Sequence, residues 1–379
     1  MTQSTFLVSS APEFQGAALN ELRLCDPRLA YGESLAPDTF TVRTERSEDA
    51  LATTFAEMEP TYTRHLFPVQ AHVALAGTLT DLDAMKAAVQ GLPGLATVPA
   101  DATFSVQARW LADKLSDAEE FDDVDVDVDV VAQKPSHNPT ARLYTAFAIK
   151  EILAPRIVSE TGARESVTAP DWVLSVVCAE RQAWIGLSPA RWNLSNWAGG
   201  MHRFARHPEQ ISRAEFKLQE ALEAFDVALP TRGTALDLGA APGGWTRLLL
   251  EAGLQVVAVD PAALDPRLVK NPALAHYRGY AQDFLNAALR EDKRANYAMI
   301  VSDLRVDVFE AARLMADYAA LLAPNGVLIT TLKLPHATRT VKPEALARKA
   351  LKMLGQTFST VRARQLFHNR QEITVLLRK

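Results

Sequence analysis

Leu236-Asp237-Leu238-Gly239-Ala240-Ala241-Pro242-Gly243-Gly244-Trp245-Thr246 is the stretch that decides how this chain folds. A short apolar run, residues 234–238, reads as a strand; it ends on a glycine-rich turn, and a helical pattern starts at Trp245. Glycines let backbone approach a ligand closely, and a helix N-terminus offers unpaired N–H groups. The dinucleotide fingerprint spaces its glycines G-x-G-x-x-G, whereas here the spacing is G-x-x-x-G-G with Pro242 inside. A pyrophosphate is held by successive backbone amides, and Pro242 removes one. The loop therefore suits a nucleoside ligand without phosphates, such as S-adenosylmethionine, with Asp237 expected near its charged methionine end. A second apolar strand, Val256-Val257-Ala258-Val259, ends in Asp260. A carboxylate in that place can accept both ribose hydroxyls.

Size and charge narrow the class. A chain of 379 residues can hold two or three domains with real cores. No signal peptide is readable and no apolar run approaches a membrane span, so no membrane partner is expected. Cys25 and Cys178 are the only cysteines and lie far apart in sequence, which leaves no disulfide framework or cysteine metal site. A reducing cytoplasm is the expected location, with no metal. Neither thiol lies in the region of the glycine loop, which excludes a cysteine-nucleophile cytosine C5-methylating enzyme. The net charge of −5 is unevenly divided. Residues 1–190 carry 14 Lys+Arg against 27 Asp+Glu, or −13; residues 191–379 carry 26 against 18, or +8. Eight of the carboxylates fall in residues 117–129, which read as an exposed hairpin edge or a disordered insert. Calcium is a poor fit there, because the glycine that kinks a calcium loop is missing. The basic C-terminal half suggests a polyanionic partner.

Periodicity divides the chain further. Residues 6–8, 39–43 and 63–74 read as strands and residues 13–24 and 48–58 as helices, a β-α-β-α-β order that suggests a ferredoxin-like domain over 1–74. A second α/β domain follows over 75–190, with helices at 79–92 and 141–161, a strand at 103–110, and two strands, 172–178 and 183–187, that can pair. Residues 191–210 are expected to be a linker. Within 188–211, Arg191, Trp192, Asn193, Trp197, Arg203 and Arg206 mix aromatics with cations, which suits either single-stranded RNA or tryptophans docked on neighbouring domains. From 211 to 379, helices alternate with apolar strands ending near Leu238, Asp260, Asp303 and Lys333. That is the pattern of a doubly wound, largely parallel, Rossmann-like sheet, whose ligands lie at the carboxyl ends of its strands. The helix over 212–225 opens with Ser212 as N-cap and Glu215 completing a capping box.

Four separated charges stand out. Asp303 and Lys333 each close a buried strand and so point to the edge where the ligand loop lies. A lysine in that position is unfavourable unless paired or functional, and Asp303 is its nearest partner, so a structural ion pair is one reading. Glu372 opens the last strand, and Lys217 lies on the helix before the glycine loop; alone, either would read as a surface charge.

Taken together, these residues resemble the FtsJ-like ribose 2′-O-methyltransferases, which use a Lys-Asp-Lys-Glu tetrad. The likeness is greatest to the bacterial subgroup of the RlmM type, which acts on a cytidine of large-subunit (23S) ribosomal RNA. Ser212-Arg213-Ala214-Glu215-Phe216-Lys217-Leu218 matches the opening helix, residues 236–246 the ligand loop, Ser302-Asp303 the fourth motif and Leu332-Lys333-Leu334-Pro335 the strand with the central lysine. The run Arg364-Gln365-Leu366-Phe367-His368-Asn369-Arg370-Gln371-Glu372-Ile373-Thr374-Val375 matches the final hairpin. The resemblance is good over 188–379 and looser before it, where the family has a ferredoxin-like part and a THUMP RNA-binding domain; residues 117–129 look like an insertion. It implies catalytic roles for Lys217, Asp303, Lys333 and Glu372. It also implies S-adenosylmethionine contacts from Asp237, Gly239, Ala240, Pro242, Gly243, Gly244, Trp245, Asp260, Asp283 and Asp303. Ribosomal RNA is the implied partner, for a monomer with no protein partner inferred.

Methylating a sugar hydroxyl requires an aligned in-line attack and one acceptor for a proton. A free lysine, with a pKa near ~10.4, is protonated at neutral pH. Asp303 and Glu372 would hold that charge, whereas Lys217 and desolvation by bound RNA oppose it. Lys333 is thus read as the base or as the group that polarises the hydroxyl, oriented by Asp303 and Glu372, with Lys217 positioning the ribose. Amino-group methylation would use an Asn- or Asp-Pro-Pro-aromatic run where this chain has Ser302-Asp303-Leu304-Arg305. Small-molecule O-methylation would not need the preceding domains or the six basic residues in 333–352, although a solvated helix face explains part of that stretch. Methylation of another RNA, or a non-catalytic RNA-binding role in ribosome assembly, keeps the same fold.

Overall fold

The computed structural model describes residues 3–111, 142–290 and 296–379. The acidic run at 117–129 lies outside the described residues. The chain forms two compact units, Met1–Arg203 and Phe204–Lys379.

In the first unit, β1 (Ser4–Ser10), α1 (Gln15–Cys25), β2 (Ala30–Ala36), β3 (Thr39–Thr44), α2 (Glu48–Glu57) and β4 (Thr63–Pro68) follow in the β-α-β-β-α-β order of ferredoxin-like folds. Their antiparallel sheet has the order β2-β3-β1-β4. The sequence pattern missed β2, because this edge strand is mostly exposed and lacks the alternation that marks a half-buried one. The run at 63–74, expected as one strand, is two. Pro68 ends β4; Val69 still donates its N–H to Thr5, but that of Gln70 goes to Ile185, and β5 (Ala71–Ala74) pairs in another sheet.

That second sheet runs β5-β9-β8-β6-β7 and is built with β6 (Thr103–Trp110), β7 (Arg164–Glu165), β8 (Trp172–Ala179) and β9 (Gln182–Pro189). The expected pairing of residues 172–178 with 183–187 is the antiparallel β8–β9 ladder. α3 (Thr80–Gln90) and α4 (Ala146–Thr161) bury Met85, Val89, Ile149, Leu153 and Ile157 against it. Full burial of such side chains contributes roughly 1.5–3 kcal/mol each.

The second unit opens with α5 (Ala214–Ala224), β10 (Thr234–Leu238), α6 (Gly244–Glu251) and β11 (Gln255–Val259). After these come α7 (Pro266–Val269), β12 (Leu274–Tyr277), α8 (Ala281–Arg290), β13 (Tyr297–Ser302) and α9 (Val308–Tyr318). β14 (Leu322–Lys333), α10 (Pro343–Leu354), β15 (Thr360–Arg364) and β16 (Glu372–Arg378) complete it. The seven-stranded sheet has the order β12-β11-β10-β13-β14-β16-β15. Its first five strands are parallel, and β16 runs antiparallel between β14 and β15. This is the doubly wound Rossmann-like sheet expected, its order reversing at β10 and β13. The crevice for a ligand therefore opens at the carboxyl ends of those two strands.

The capping box at α5 is only half formed. Arg213 occupies the N-cap position without a side-chain cap, and the Ser212 hydroxyl is buried without a hydrogen-bond partner. Glu215 Oε1 does accept the backbone N–H groups of Ile211 (2.7 Å) and Ser212 (3.3 Å). Its other oxygen accepts from Arg247 Nε at 3.1 Å and Nη2 at 2.5 Å, and this buried ion pair sets the position of Glu215.

Candidate active site

The glycine turn after β10 is conformationally specific. Gly239 (φ 78°) and Gly243 (φ 116°) occupy the left-handed region that side chains avoid. A Cβ on Gly243 would come within 2.4 Å of Leu268 Cδ1, and one on Gly239 within 3.1 Å of Leu304 Cδ2. The Ala241–Pro242 peptide is cis. Asp260, just past β11, ties the turn down: Oδ2 accepts the N–H of Ala241 at 3.1 Å and Oδ1 that of Ala262 at 2.8 Å. Asp260 thus braces the loop, a role the sequence did not reveal, and each oxygen keeps a lone pair for a ribose hydroxyl.

Asp237 is 1% exposed; its Oδ2 accepts from the Thr246 hydroxyl at 2.6 Å, and its carboxylate also accepts the Thr246 backbone N–H. It therefore anchors the first turn of α6. Burial pushes its pKa up to about 7, against the two bonds from Thr246 and with help from the nearby negative charge of Asp303. Because the folded value exceeds the ordinary 3.8, the folded chain holds a proton there that the unfolded chain has already lost. The stability carried by protonated Asp237 is complete below the ordinary carboxylate range and is lost as pH rises through about 7. Thermal melts across that window should show Asp237→Asn losing less stability with rising pH than wild type. Parallel curves would mean that Asp237 does not titrate there.

The indole of Trp245 does not face the crevice. It is 4% exposed, packs in the core with Leu218 and Leu249, and donates its Nε1–H to Ala214 O at 2.6 Å. Only its backbone is left for a ligand, and the Trp at this helix start is an apolar plug. Asp283 is exposed in the first turn of α8, after the edge strand β12. Gly239, Ala240, Pro242, Gly243 and Gly244 share the turn braced by Asp260.

Lys217, Asp303, Lys333 and Glu372, far apart in sequence, form a closed ring. Lys217 Nζ is 3.3 Å from Asp303 Oδ2 and 2.6 Å from Glu372 Oε1. Lys333 Nζ donates to Asp303 Oδ1 at 2.5 Å and to Glu372 Oε2. Each carboxylate bridges both ammonium groups, and the ring is neutral. Lys333 and Glu372 face each other in the β14–β16 register, while Asp303 directly follows β13, whose Ser302 pairs with Thr330. Burial alone would favour neutral Lys217, but Asp303 and Glu372 more than offset it and raise its pKa above the ordinary lysine value. Burial likewise opposes ionisation of Asp303, and Lys217 and Lys333 together with the Thr331 hydrogen bond overcome it, so its pKa is lowered.

Two supporting side chains were not anticipated. Thr331 donates its hydroxyl to Asp303 Oδ1 at 2.6 Å, and Asn369 Nδ2 donates to Glu372 Oε1 at 3.3 Å. Thr331 sits two residues before Lys333 on one strand, so the period of two puts it on the same face, although its bond to Asp303 is set by the tertiary structure. In the 188–211 stretch, Trp192 is buried and its Nε1–H goes to Thr53 Oγ1 at 3.1 Å; Asn193 Nδ2 donates to Leu66 O at 3.2 Å. Of the two readings of these residues, docking holds for Trp192 and Asn193, while Arg191, Arg203 and Arg206 are exposed. Arg339, Lys342, Arg348, Lys349 and Lys352 are also exposed, with Ala347, Ala350 and Leu354 on the buried face of α10.

Cys25 and Cys178 are free thiols, and no described helix is long and apolar enough to cross a membrane.

Residues 210–360 match the FtsJ-like methyltransferase family, a range that includes Lys217, Asp303 and Lys333 but stops before Glu372. Over 202 residues the chain is 34% identical to Ribosomal RNA large subunit methyltransferase M of Halorhodospira halophila, covering 52% of this chain and 55% of that protein. The protein of the same name in Laribacter hongkongensis is 33% identical over 201 residues, 51% of this chain and 54% of that one. The chain spans about half the length of the curated relatives it matches. Among solved structures, TrmN from Thermus thermophilus is 16% identical with a TM-score of 0.36, covering 99% of this chain and all of that one, a likeness too slight to bear weight.

Proposed function

We propose that this chain, whose residues 210–360 form an FtsJ-like methyltransferase domain, methylates a ribose 2′-hydroxyl of large-subunit ribosomal RNA, at a cytidine, with S-adenosylmethionine as donor. The observation that carries the reading is the closed Lys217–Asp303–Lys333–Glu372 ring at the carboxyl edge of the sheet that also bears the glycine turn. The relatives' names support ribosomal RNA as the substrate.

The turn fits the cofactor. Gly239 and Gly243 hold the left-handed backbone of the turn, where a Cβ would crowd Leu304 and Leu268, and Asp260 offers a carboxylate for the ribose. Ala240, Pro242 and Gly244 would line it through backbone, with Asp237 toward its cationic end and Asp283 toward its base. When bound, the cofactor supplies an electrophilic methyl group. Asp260→Ala should weaken its binding by about 1–3 kcal/mol, the loss from unpaired ribose hydroxyls. Because Asp260 also braces Ala241 and Ala262, Asp260→Asn should recover only part of the affinity. Calorimetry showing wild-type affinity in Asp260→Ala would reject the assignment.

Lys333 has two of its N–H directions committed to Asp303 and Glu372, leaving one for the substrate hydroxyl. In its neutral form that direction is a lone pair: the hydroxyl O–H breaks, an N–H forms, and the ammonium produced is stabilised by both carboxylates. Lys217 stays cationic, balances the second carboxylate and steers the ribose. The first unit and the exposed cations Arg191, Arg203, Arg206, Arg339, Arg348 and Lys349 are proposed to hold the RNA, with the sheet of β1–β4 as the ferredoxin-like part and the sheet that β5 opens as the THUMP-like part, joined by 191–210 to 211–379. The free thiols fit a reducing cytoplasm.

Mapping ribose methylation across ribosomal RNA from a deletion strain tests the proposal. One 23S cytidine should lose its 2′-O-methyl group and regain it on complementation with wild type but not with Lys333→Ala. An unchanged map would overturn it.

A further inference from the structure

Three of the four ring residues are placed by one sheet. Asp303, Lys333 and Glu372 follow from the ladders of β13, β14 and β16. Lys217 is not so placed, since α5 lies outside the sheet and packs on it through Leu218, Ala221 and Phe225. Directional contacts do hold its first turn to α6, where Trp245 donates to Ala214 O and Arg247 pairs with Glu215, but neither reaches the loop that leads into Glu372. A directional contact lies one turn further along α5. Glu220, whose side chain is 2% exposed, accepts the backbone N–H groups of Phe367 at 2.6 Å and His368 at 2.9 Å, and His368 Nδ1 lies 2.8 Å away. The His368 ring lies 5.3 Å from that of Phe216, the neighbour of Lys217.

The loop that Glu220 grips is the one leading into Glu372. Asn369 Oδ1 accepts from Leu366 N–H at 2.9 Å and from the Thr374 hydroxyl at 3.0 Å, and its Nδ2 donates to Glu372 Oε1. Backbone and side-chain bonds thus run without a break from Glu220 to the carboxylate that Lys217 meets at 2.6 Å. We infer that Glu220 is a positioning residue: its grip on Phe367 and His368 sets the separation of Lys217 from Glu372 and so closes the ring. The inference rests on the ring being the reaction centre proposed above. The residue type is informative. A loop held only for packing needs no buried carboxylate, whereas two successive amides and an imidazole call for an acceptor with two oxygens, and glutamine offers one.

The test uses the full chain carrying Glu220→Gln, Glu220→Ala or His368→Ala. Titration of Lys217 is followed by its 13Cε shift, assigned through Lys217→Arg, alongside single-turnover methylation of ribosomal RNA, calorimetry with S-adenosylmethionine and thermal melts. In Glu220→Gln, Lys217 should titrate closer to an ordinary lysine, because the carboxylates that raise it have moved away. Turnover should fall roughly tenfold, and roughly a hundredfold in Glu220→Ala, the scale expected for a displacement of about 1 Å at the reacting groups. Cofactor affinity should not change, and His368→Ala, which keeps both amide bonds, should be milder. A folded Glu220→Gln protein with the wild-type Lys217 titration overturns the inference whatever its activity. So does turnover that falls only in step with thermal stability while that titration stays put. Should Glu220→Ala fail to fold, the near-isosteric Glu220→Gln carries the comparison. If wild type methylates no ribosomal RNA, the functional reading fails, while the Lys217 titration still decides whether Glu220 sets the ring.

Discussion

Lys333→Ala should lower turnover by roughly a hundredfold or more while leaving cofactor affinity near wild type, the loss expected when an acid–base group is removed. Lys333 keeps 26% exposure and its two carboxylate partners retain Lys217, so the folded state should lose no more than about 1–3 kcal/mol. Lys333→Arg separates chemistry from ion pairing. A guanidinium can bridge Asp303 and Glu372, but it does not release a proton near neutral pH, so turnover should stay low although the fold is held. A lysine serving only as a bridge predicts the opposite, with Arg active and Ala unstable. Single-turnover rates with melts on both variants discriminate, and near-normal turnover in folded Lys333→Ala removes this residue from the mechanism.

Asp303→Ala should be the more damaging to stability. The carboxylate lies between two ammonium groups and also accepts from Thr331, so its loss leaves Lys217 and Lys333 sharing Glu372 alone. Removing one member of a fully buried pair destabilises by roughly 3–5 kcal/mol; with 19% exposure at Asp303 the expected loss is about 2–3 kcal/mol. The pH dependence follows from the lowered pKa of Asp303. The folded value lies below the unfolded one, so this stabilisation is present above the ordinary carboxylate range and disappears as pH falls through the folded value. Urea unfolding at neutral pH and again in acid should find the gap between wild type and Asp303→Ala closing in acid. No loss at neutral pH would show that the ring contributes nothing to stability, and a gap that persists unchanged in acid would show that the loss does not come from the ionised carboxylate.

In the second unit the edge strands β12 and β15 were not read, but β10, β11, β13 and β14 were legible because each is a run of mostly apolar residues closed by a turn signal or a charge. Their carboxyl ends carried the residues that drew attention, Leu238, Asp260, Asp303 and Lys333. β2 escaped because an exposed edge strand has no buried face to print a pattern. The capping box misled in the other direction: the Ser-x-x-Glu spacing is present, but Arg247, thirty-two positions on, takes the second oxygen of Glu215 and the helix starts without its serine.

By itself, the sequence determined the parallel order of strands and helices around the glycine turn and which four residue types could share one chemistry. These follow from local rules: alternation, propensity and the geometry of a strand-to-helix turn. Only the tertiary structure decided that Lys217 and Lys333 are each shared by both carboxylates, and that Thr331 and Asn369 hold those carboxylates in place. The same holds for Asp237, whose carboxylate anchors α6, and for Glu220, whose grip spans 147 positions to reach Phe367. The physical reason is the range of the interaction. A hydrogen bond or ion pair acts over about 3 Å and is indifferent to separation along the chain, so no spacing in the sequence encodes it.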